Sequence, residues 1–288
     1  MEPGSAPLVI AHRGFRSVAP ENTLAAFSAA FDSGASWIEL DVAASSDGEL
    51  VVIHDDTLDR TTDARSLVPG RGSYAVYDWS LAELRELDAG SWFAGRDPFG
   101  RIAAGEVDEA ALASFRGERI PTLRDCLELA RGRGASVNVE IKDATGRTCD
   151  EWIVERTLDL VRETGMAERV LVSSFKHDYL RRSRKAAPGV PVGALVEKVA
   201  PADPVGMLRE LGAYSYHPGL DILDREAARA VREAGFGLMV WTVNELADLG
   251  RMAEWGATGV FTDFQDRAFR AFAVDQVGWR GPGREGRA

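Results

Sequence analysis

The sequence has few residues of the kinds that build disulfide scaffolds, zinc sites and membrane spans. Two cysteines, Cys126 and Cys149, occur among 288 residues, and they lack the paired spacing of a zinc site. We therefore expect free thiols, with neither a disulfide framework nor a cysteine metal centre. No stretch approaches the roughly 18 consecutive apolar residues of a membrane helix. We expect no stable membrane anchor.

Positive charge is also scarce. Lys and Arg number 34 against 45 Asp and Glu, which gives a formal net charge of -11. Such a chain repels polyanions at long range, which argues against nucleic acid or an anionic bilayer as the main partner. A small anionic substrate is compatible with this charge where a metal ion or local basic residues reverse the field. The N-terminal stretch "MEPGSAPLVIAHRG" has no basic region and only a short apolar run, so we expect a cytoplasmic protein.

Short apolar runs alternate with amphipathic segments along most of the chain. This alternation indicates a mostly parallel sheet covered by helices, and the length fits one α/β barrel. The predicted strands cover residues 7–12, 36–42, 49–54, 136–142, 169–175, 191–196, 213–217, 237–242 and 259–263. The predicted helices cover residues 22–33, 122–132, 149–164, 177–187, 204–211, 224–234 and 244–255.

Two features predict that the barrel is distorted. Nine candidate strands exceed the eight of a closed (β/α)8 TIM barrel, so one lies outside it or is not a strand. Only "AASSDG" separates Val42 from Glu49, which is far too short for a parallel crossover and locally indicates a hairpin. Segment 56–120 breaks the alternation and is read as one long insertion after the third strand. We predict a single barrel domain over 1–277 that includes this insertion, and a disordered tail over 278–288.

Three acidic residues lie inside otherwise apolar strands. Glu39 and Asp41 are two apart in "IELDV" and share a face, as do Glu140 and Lys142 in "VEIK". Burying a carboxylate at a strand centre costs free energy unless it is paired or binds a cation. Internal salt bridges, with Lys142 and Arg13 as partners, would meet this requirement. A bound cation would meet it too, and converging carboxylates suit Mg or Ca better than zinc.

Histidines end two of the apolar strands. His12 lies in "IAHRG" and His54 ends "VVIH", in a chain with four histidines. A lone histidine is usually structural, whereas a pair at strand ends can divide general acid and base duties, because imidazole titrates near neutral pH. At the carboxyl ends of barrel strands both would reach the face where barrel active sites lie. For His217, which ends "YSYH", we favour a structural or rim role.

An ordered series of motifs resembles the glycerophosphodiester phosphodiesterases, barrel enzymes related in mechanism to bacterial phosphatidylinositol-specific phospholipases C. The resemblance extends from residue 8 to about residue 265. The motifs run "AHRG", "PENT", "IELDV", "SSDGELVVIHDDTLDRTTD", "LDAGSW", "IPTL", "VEIK", "WTVN" and "GVFTDF". A single "HRG" is weak evidence, but this ordered series is specific.

The resemblance implies an active site with a metal ion. It implies that His12 and His54 form the acid/base pair, and that Glu39, Asp41 and Glu140 bind one divalent cation, Mg or Ca. All five positions carry the residue types that the resemblance requires.

The resemblance also implies residues that bind the substrate. Arg13 would contact the phosphate, and Lys142 would lie beside the metal. Trp241 in "MVWTVN" either belongs to the core or lines the glycerol pocket. In "PENT", Asn22 or Thr23 is expected to begin the first helix as its cap.

The implied reaction is metal-dependent hydrolysis of glycerophosphodiesters, the deacylated phospholipids, to glycerol 3-phosphate and an alcohol. One alternative is a lysophospholipase D-type hydrolysis of lipid phosphodiesters, which would need an apolar entrance or a basic amphipathic docking helix; the sequence has no such helix. A second alternative is a non-catalytic phosphodiester-binding barrel. The five acid/base and metal positions argue against it.

Overall fold

The computed structural model describes residues 6–273, and its centre is a closed barrel of eight parallel strands. A ninth strand, β3, lies outside the barrel, so the predicted distorted (β/α)8 TIM barrel is confirmed. The strands of the described chain are β1 (Leu8–Ala11), β2 (Trp37–Ala44), β3 (Leu50–Val52), β4 (Ser136–Ile141), β5 (Val170–Ser174), β6 (Val192–Val196), β7 (Ser215–Pro218), β8 (Gly237–Val240) and β9 (Gly259–Thr262).

The barrel closes through the pairing of its first and last strands. Around the barrel the order is β1, β2, β4, β5, β6, β7, β8 and β9, and β9 returns to pair with β1. Helices cover the outside of a parallel barrel, so its strands are buried on both faces and are almost continuously apolar in sequence. Most residues of these strands are indeed buried, including the carboxylates of β2 and β4.

Strand β3 forms a hairpin with the end of β2. The two strands pair antiparallel, with Val42 opposite Val52 and Ala44 opposite Leu50. The turn is closed by a hydrogen bond of 2.9 Å from the Ser45 N–H to the Glu49 carbonyl. The hairpin extends past the mouth of the barrel and then returns the chain to it. His54 therefore reaches the active face because its strand runs backwards, and not, as the sequence suggested, because it ends a barrel strand.

The helices surround the barrel and continue into the insertion. All seven predicted helices are present, although the one predicted at 149–164 begins with a separate 3-10 turn, Thr148–Glu151. A second 3-10 turn is Val76–Asp78. The α-helices of the described chain are α1 (Leu24–Asp32), α2 (Ala64–Leu67), α3 (Leu81–Leu84), α4 (Trp92–Arg96), α5 (Glu109–Ser114), α6 (Leu123–Gly132), α7 (Ile153–Glu163), α8 (His177–Ala186), α9 (Pro204–Leu211), α10 (Arg225–Glu233), α11 (Leu246–Glu254) and α12 (Gln265–Phe272).

The insertion, residues 56–120, packs through small apolar clusters of its own. Leu58 and Trp79 are buried in one cluster together with Val51 of β3. Phe93 and Phe115 are buried in another, against Ala26 of α1. The insertion thus braces the hairpin that carries His54 and the helix that follows the "HRG" loop.

Two sequence predictions concern features at the limits of the described chain. The tail predicted at 278–288 lies outside the described residues, as do the two ends of the predicted domain. Among residues 6–273, no helix combines the length and the apolar character needed to cross a membrane.

Candidate active site

A pocket of about 290 Å3 opens where the barrel strands end. It brings together side chains from β2 and β4 and from the segments that follow β1, β3, β4 and β8. Its lining includes His12, Arg13, Glu39, His54, Glu140, Lys142 and Trp241. The eighth residue selected from the sequence, Asp41, lies next to this lining, because it belongs to a carboxylate cluster with Glu39 and Glu140. The structure therefore brings together every site residue that the sequence predicted.

The three carboxylates can surround a single cation. One oxygen from each of Glu39, Asp41 and Glu140 lies within 4.8 Å of the others. Asp41 and Glu140 are directly opposite each other in the β2–β4 pairing, and Glu39 is two residues before Asp41 on the same face. All three residues are at least 91% buried, with relative exposures of 3%, 1% and 9%. An oxygen-only set of this kind suits Mg or Ca.

The two neighbouring cations compensate only part of this negative charge. Lys142 Nζ lies 2.8 Å from Glu140 Oε1 and 3.5 Å from Asp41 Oδ1. Arg13 Nε lies 3.4 Å from Asp41 Oδ2, while its Nη1 is bound to a different carboxylate, Glu21. The salt bridges considered from the sequence therefore exist. They leave more carboxylates than cations in the cluster, which fits an additional bound cation.

The pKa values of the cluster express this excess of negative charge. Burial, followed by repulsion from Asp41 and Glu140, raises the pKa of Glu39 well above its usual value. Burial also raises the pKa of Glu140. For Asp41, burial is outweighed by Lys142 and Arg13, which hold its pKa well below the usual range. A divalent cation would favour the ionised form of all three.

His12 is held by a carboxylate that follows the neighbouring strand, β9. Its Nδ1 donates a hydrogen bond of 2.7 Å to Oδ1 of Asp263, which follows β9. Burial would raise the pKa of Asp263, but the hydrogen bond and charge of His12, together with Arg16 and Asn244, lower it to about 2, so this carboxylate is ionised. Nδ1 must then carry a proton, which leaves Nε2 available to the pocket. Burial, and then Arg13, lower the pKa of His12 to about 4.

His54 is held in the same way by its neighbour in sequence. Its Nδ1 lies 2.7 Å from Oδ1 of Asp55. Asp55 is itself bound by Arg60, whose Nε donates to Oδ2 at 2.7 Å. Against the effect of burial, His54 and Arg60 hold the pKa of Asp55 well below its usual range. An ionised Asp55 fixes the proton of His54 on Nδ1, so that Nε2 is again available to the pocket.

The "HRG" turn places its residues by an unusual backbone conformation. Arg13 has a φ of 55°, which is uncommon for a residue other than glycine, and its backbone N–H donates to Oε2 of Glu39 at 2.8 Å. Gly14 has a φ of 81°, and a Cβ there would lie 2.7 Å from the backbone of Ala26 in α1. Glycine at position 14 therefore allows α1 to pack directly against the loop that carries His12.

Aromatic side chains form the wall of the pocket opposite the carboxylates. The rings of Trp241 and Phe175 meet edge to face, with their centroids 5.5 Å apart. Trp241 Nε1 donates to the carbonyl of His217 at 2.9 Å, which fixes the indole. Of the two roles considered for Trp241, the structure supports the one in the pocket. Phe175 lines the pocket as well.

A comparison with known protein families shows which family this chain belongs to. The sequence model of the "Glycerophosphoryl diester phosphodiesterase family" matches residues 12–267, which is most of the chain. The chain belongs to this family. It is therefore an enzyme, a glycerophosphodiester phosphodiesterase, and the resemblance drawn from its motifs is confirmed.

Individual phosphodiesterases agree with this assignment. The glycerophosphodiester phosphodiesterase of Caldanaerobacter subterraneus is 39% identical over 256 residues, which cover 89% of this chain and 93% of its own length. A phosphodiesterase of Oleispira antarctica, solved in complex with its product sn-glycerol-3-phosphate, is 29% identical, with a TM-score of 0.79, and the match covers 93% of this chain and 98% of that one. The glycerophosphodiester phosphodiesterase of Bacillus subtilis is 32% identical over 265 residues, which cover 90% of this chain and 84% of its own length.

In this phosphodiesterase Asn22 does not cap the first helix but contacts a carboxylate of the site. Thr23 caps α1, since its side chain accepts from the Ala26 N–H, as one of the two predicted options held. Asn22 instead has a φ of 57° and donates from Nδ2 to Oδ2 of Asp41 at 2.8 Å. It thereby orients one of the candidate metal ligands. The sequence contained no local signal for this role, because asparagine and threonine are both common helix caps.

His217 has the structural role that the sequence favoured, and the rim position considered with it is wrong. The residue is fully buried, its ring lies 5.3 Å from that of Phe261 between centroids, and Nε2 lies 2.7 Å from the Ser215 hydroxyl. Its Nδ1 has no hydrogen-bond partner among residues 6–273. Gly193 makes room for the ring, because a Cβ there would lie 2.4 Å from it.

Acid is expected to destabilise a His217→Gln variant less steeply than the parent phosphodiesterase. Burial lowers the pKa of His217 from 6.5 to about 3. At pH values between these two pKa values, the unfolded state binds a proton that the folded state does not. The free energy of unfolding then falls as the pH falls, by about 2 kcal/mol between about pH 6.5 and about pH 5 from this group. Urea unfolding at several pH values measures both slopes. Parallel slopes would contradict the prediction.

Proposed function

We propose that this enzyme hydrolyses glycerophosphodiesters to glycerol 3-phosphate and an alcohol, with His12 and His54 as the acid/base pair. The observation that carries the proposal is that both histidines line the same pocket as two of the three clustered carboxylates. The related enzyme of Oleispira antarctica, with sn-glycerol-3-phosphate as its product, supports the same product here.

The first requirement of the reaction is to neutralise the phosphodiester, an anion that repels nucleophiles. We propose that Glu39, Asp41 and Glu140 would hold one divalent cation, Mg or Ca, which when bound would offset part of the negative charge of the phosphate group. Arg13 lines the pocket and keeps its charge at all working pH values, so its guanidinium can bind a second oxygen. Lys142 adds a further positive charge beside Glu140.

The second requirement is two proton transfers, one at the attacking oxygen and one at the leaving oxygen. Each histidine has its Nδ1 bound to an ionised carboxylate, so each can accept or give a proton at Nε2. We propose that one imidazole removes the proton from the attacking oxygen and that the other protonates the departing alkoxide. Trp241 and Phe175 would bound the space for the glycerol moiety.

Turnover on a panel of phosphodiesters tests the proposed function. The panel contains glycerophosphocholine, glycerophosphoethanolamine, glycerophosphoinositol and lysophosphatidylcholine, each with Mg, Ca, Mn or a chelator. We expect glycerol 3-phosphate from the three deacylated substrates, none in chelator, and little reaction with the lysolipid. Equal rates with lysophosphatidylcholine would move the substrate class to lipid phosphodiesters. Undiminished turnover in chelator would remove the cation from the proposal.

A further inference from the structure

Glu21 of the "PENT" motif is the centre of a buried network of arginines. It lies in the loop between β1 and α1 and is only 5% exposed. Oε1 accepts hydrogen bonds from Arg13 Nη1 at 2.8 Å and from Arg60 Nη2 at 2.7 Å. Oε2 accepts from Arg16 Nη2 at 2.8 Å and from Arg60 Nη1 at 2.9 Å. One carboxylate thus organises three guanidinium groups from two separate loops.

One arm of this network ends at His54. Arg60 grips Glu21 with both Nη atoms, and it also binds Asp55 through Nε at 2.7 Å and Nη2 at 2.9 Å. Asp55 then accepts from His54 Nδ1 at 2.7 Å. Two bidentate contacts fix the plane of the guanidinium, because both pairs of donors must be satisfied together. The position of the His54 ring therefore depends on Glu21 through Arg60 and Asp55.

The second arm ends at His12. Arg16 binds Glu21 through Nη2, and its Nη1 lies 3.5 Å from Asp263 Oδ1, the oxygen that holds His12 Nδ1. Asn244 supports Asp263 from the other side, donating from Nδ2 to Oδ2 at 2.8 Å. The chain of contacts runs from one histidine to the other through alternating carboxylates and guanidinium groups.

The charge of Glu21 is needed to keep this arrangement together. Burial would raise the pKa of Glu21, but Arg60, Arg13 and Arg16 outweigh it and hold the pKa well below its usual range. Three positive groups are close together around this carboxylate. Without the carboxylate they would repel one another and separate, because a buried charge that loses its partner is strongly unfavourable.

We propose that Glu21 is a positioning residue that couples the two histidines, keeping His12 and His54 in the mutual geometry that proton transfer requires. The inference rests on the proposed acid/base function of these histidines. Glu21 itself touches neither reacting atom. It acts through Arg16 and Asp263 on one side and through Arg60 and Asp55 on the other.

Kinetics of matched variants provide the first test. Glu21→Gln keeps the size of the side chain and removes its charge, and we expect kcat to fall about 10- to 100-fold, as displacements of catalytic groups by about 1 Å do. Arg60→Gln breaks only the arm to His54 and should lower kcat more than it changes KM. The double variant should lose much less than the product of the two single losses, because both act in one chain. Independent, multiplicative losses would overturn the coupling.

Nitrogen NMR of the histidine rings provides a readout that a merely structural role would not move. The chain has four histidines, so single substitutions can assign every ring. In Glu21→Gln we expect the ring nitrogens of both His12 and His54 to shift. In Arg60→Gln only His54 should shift. His177 and His217 bind the Leu195 carbonyl and Ser215, away from the network, and serve as internal controls. Shifts in all four rings, or in neither active-site ring, would overturn the inference.

Glu118→Gln is the matched control for a changed glutamate near the same loop. Glu118 is half-buried and accepts from the Ala25 N–H at 3.3 Å, but it lies outside the arginine network. We expect it to leave kcat and the histidine resonances unchanged.

His12→Ala and His54→Ala, measured in parallel, separate the acid/base hypothesis from the positioning hypothesis. Full activity in these two variants refutes the acid/base function. Full activity in Glu21→Gln alone, with unshifted resonances, refutes only the positioning role. If Glu21→Gln does not fold, the partly exposed Arg60 variant decides.

Discussion

Replacing Glu140 with glutamine is expected to remove tight divalent-cation binding and to lower turnover by at least about 1,000-fold, since a catalytic cation supplies several kcal/mol of charge stabilisation. Glutamine keeps the shape of the side chain and its contact position beside Lys142. It removes one of the three negative charges that lie within 4.8 Å of one another. Calorimetric titration of the chelator-treated protein with Mg and Ca measures the loss directly, independently of activity.

Two comparisons make this result specific. Glu49→Gln removes an exposed carboxylate from the hairpin turn, and it should bind the cation and turn over as the parent does. Glu39→Gln, in chelator, should unfold at a higher temperature than the parent, because it relieves repulsion among buried carboxylates. Adding Ca should then stabilise the parent more than the variant. If the carboxylates serve only as partners of Lys142 and Arg13, the parent will show no saturable cation binding.

Elementary strand geometry was enough to predict which charged side chains share a face. Residues two apart lie on one side of a strand, so Glu39 lies beside Asp41 and Glu140 beside Lys142, and the cost of burying these charges called for salt bridges or a bound cation. The roles of the individual site residues came from the resemblance to the phosphodiesterase family. The alternation of apolar runs with amphipathic segments predicted the parallel barrel. What alternation could not supply was the register that sets Asp41 opposite Glu140. That pairing depends on how two distant strands align.

The parts that sequence reasoning missed depend on contacts between distant segments. Asp263 holds His12 from 251 positions away, and Glu21 meets Arg60 from 39 positions away. No local pattern marks such partners, although both lie in quoted motifs, "GVFTDF" and "PENT". Three short helices of the insertion, α2, α4 and α5, were missed for a related reason. Segments of four to six residues have too little periodicity to be recognised, and tertiary packing stabilises them.

The direction of β3 shows a different limit. The short connection "AASSDG" correctly indicated a hairpin, as the antiparallel pairing of β2 and β3 shows. The barrel hypothesis nevertheless predicted that His54 ends a strand of the barrel. In the structure the hairpin carries His54 back to the mouth and leaves it on the chain segment that also contains Asp55 and Arg60. This placement is why the second histidine can be linked to the "PENT" loop.

Replacing either His12 or His54 with alanine is expected to lower kcat by at least about 100-fold, the usual contribution of a general acid or base. The double variant should lose much less than the product of the two single losses, because removing one member of the pair already disables the unit. His177→Ala, a change outside the pocket lining, should retain parental turnover. Thermal unfolding of each variant checks that the barrel is intact, so that a lost rate is not a lost fold.

The pH dependence of the single variants gives the same prediction a second, independent form. In the parent, one histidine must be neutral and the other protonated, so kcat/KM should follow a bell-shaped pH profile with two limbs. Each alanine variant should lose the limb that belongs to its missing imidazole, and the surviving limb identifies the acid or the base. Because both rings have Nδ1 fixed by a carboxylate, the limbs report Nε2 in each case. A variant that keeps near-parental turnover and both limbs would remove its histidine from the mechanism, while the candidate metal cluster would stand on its own evidence.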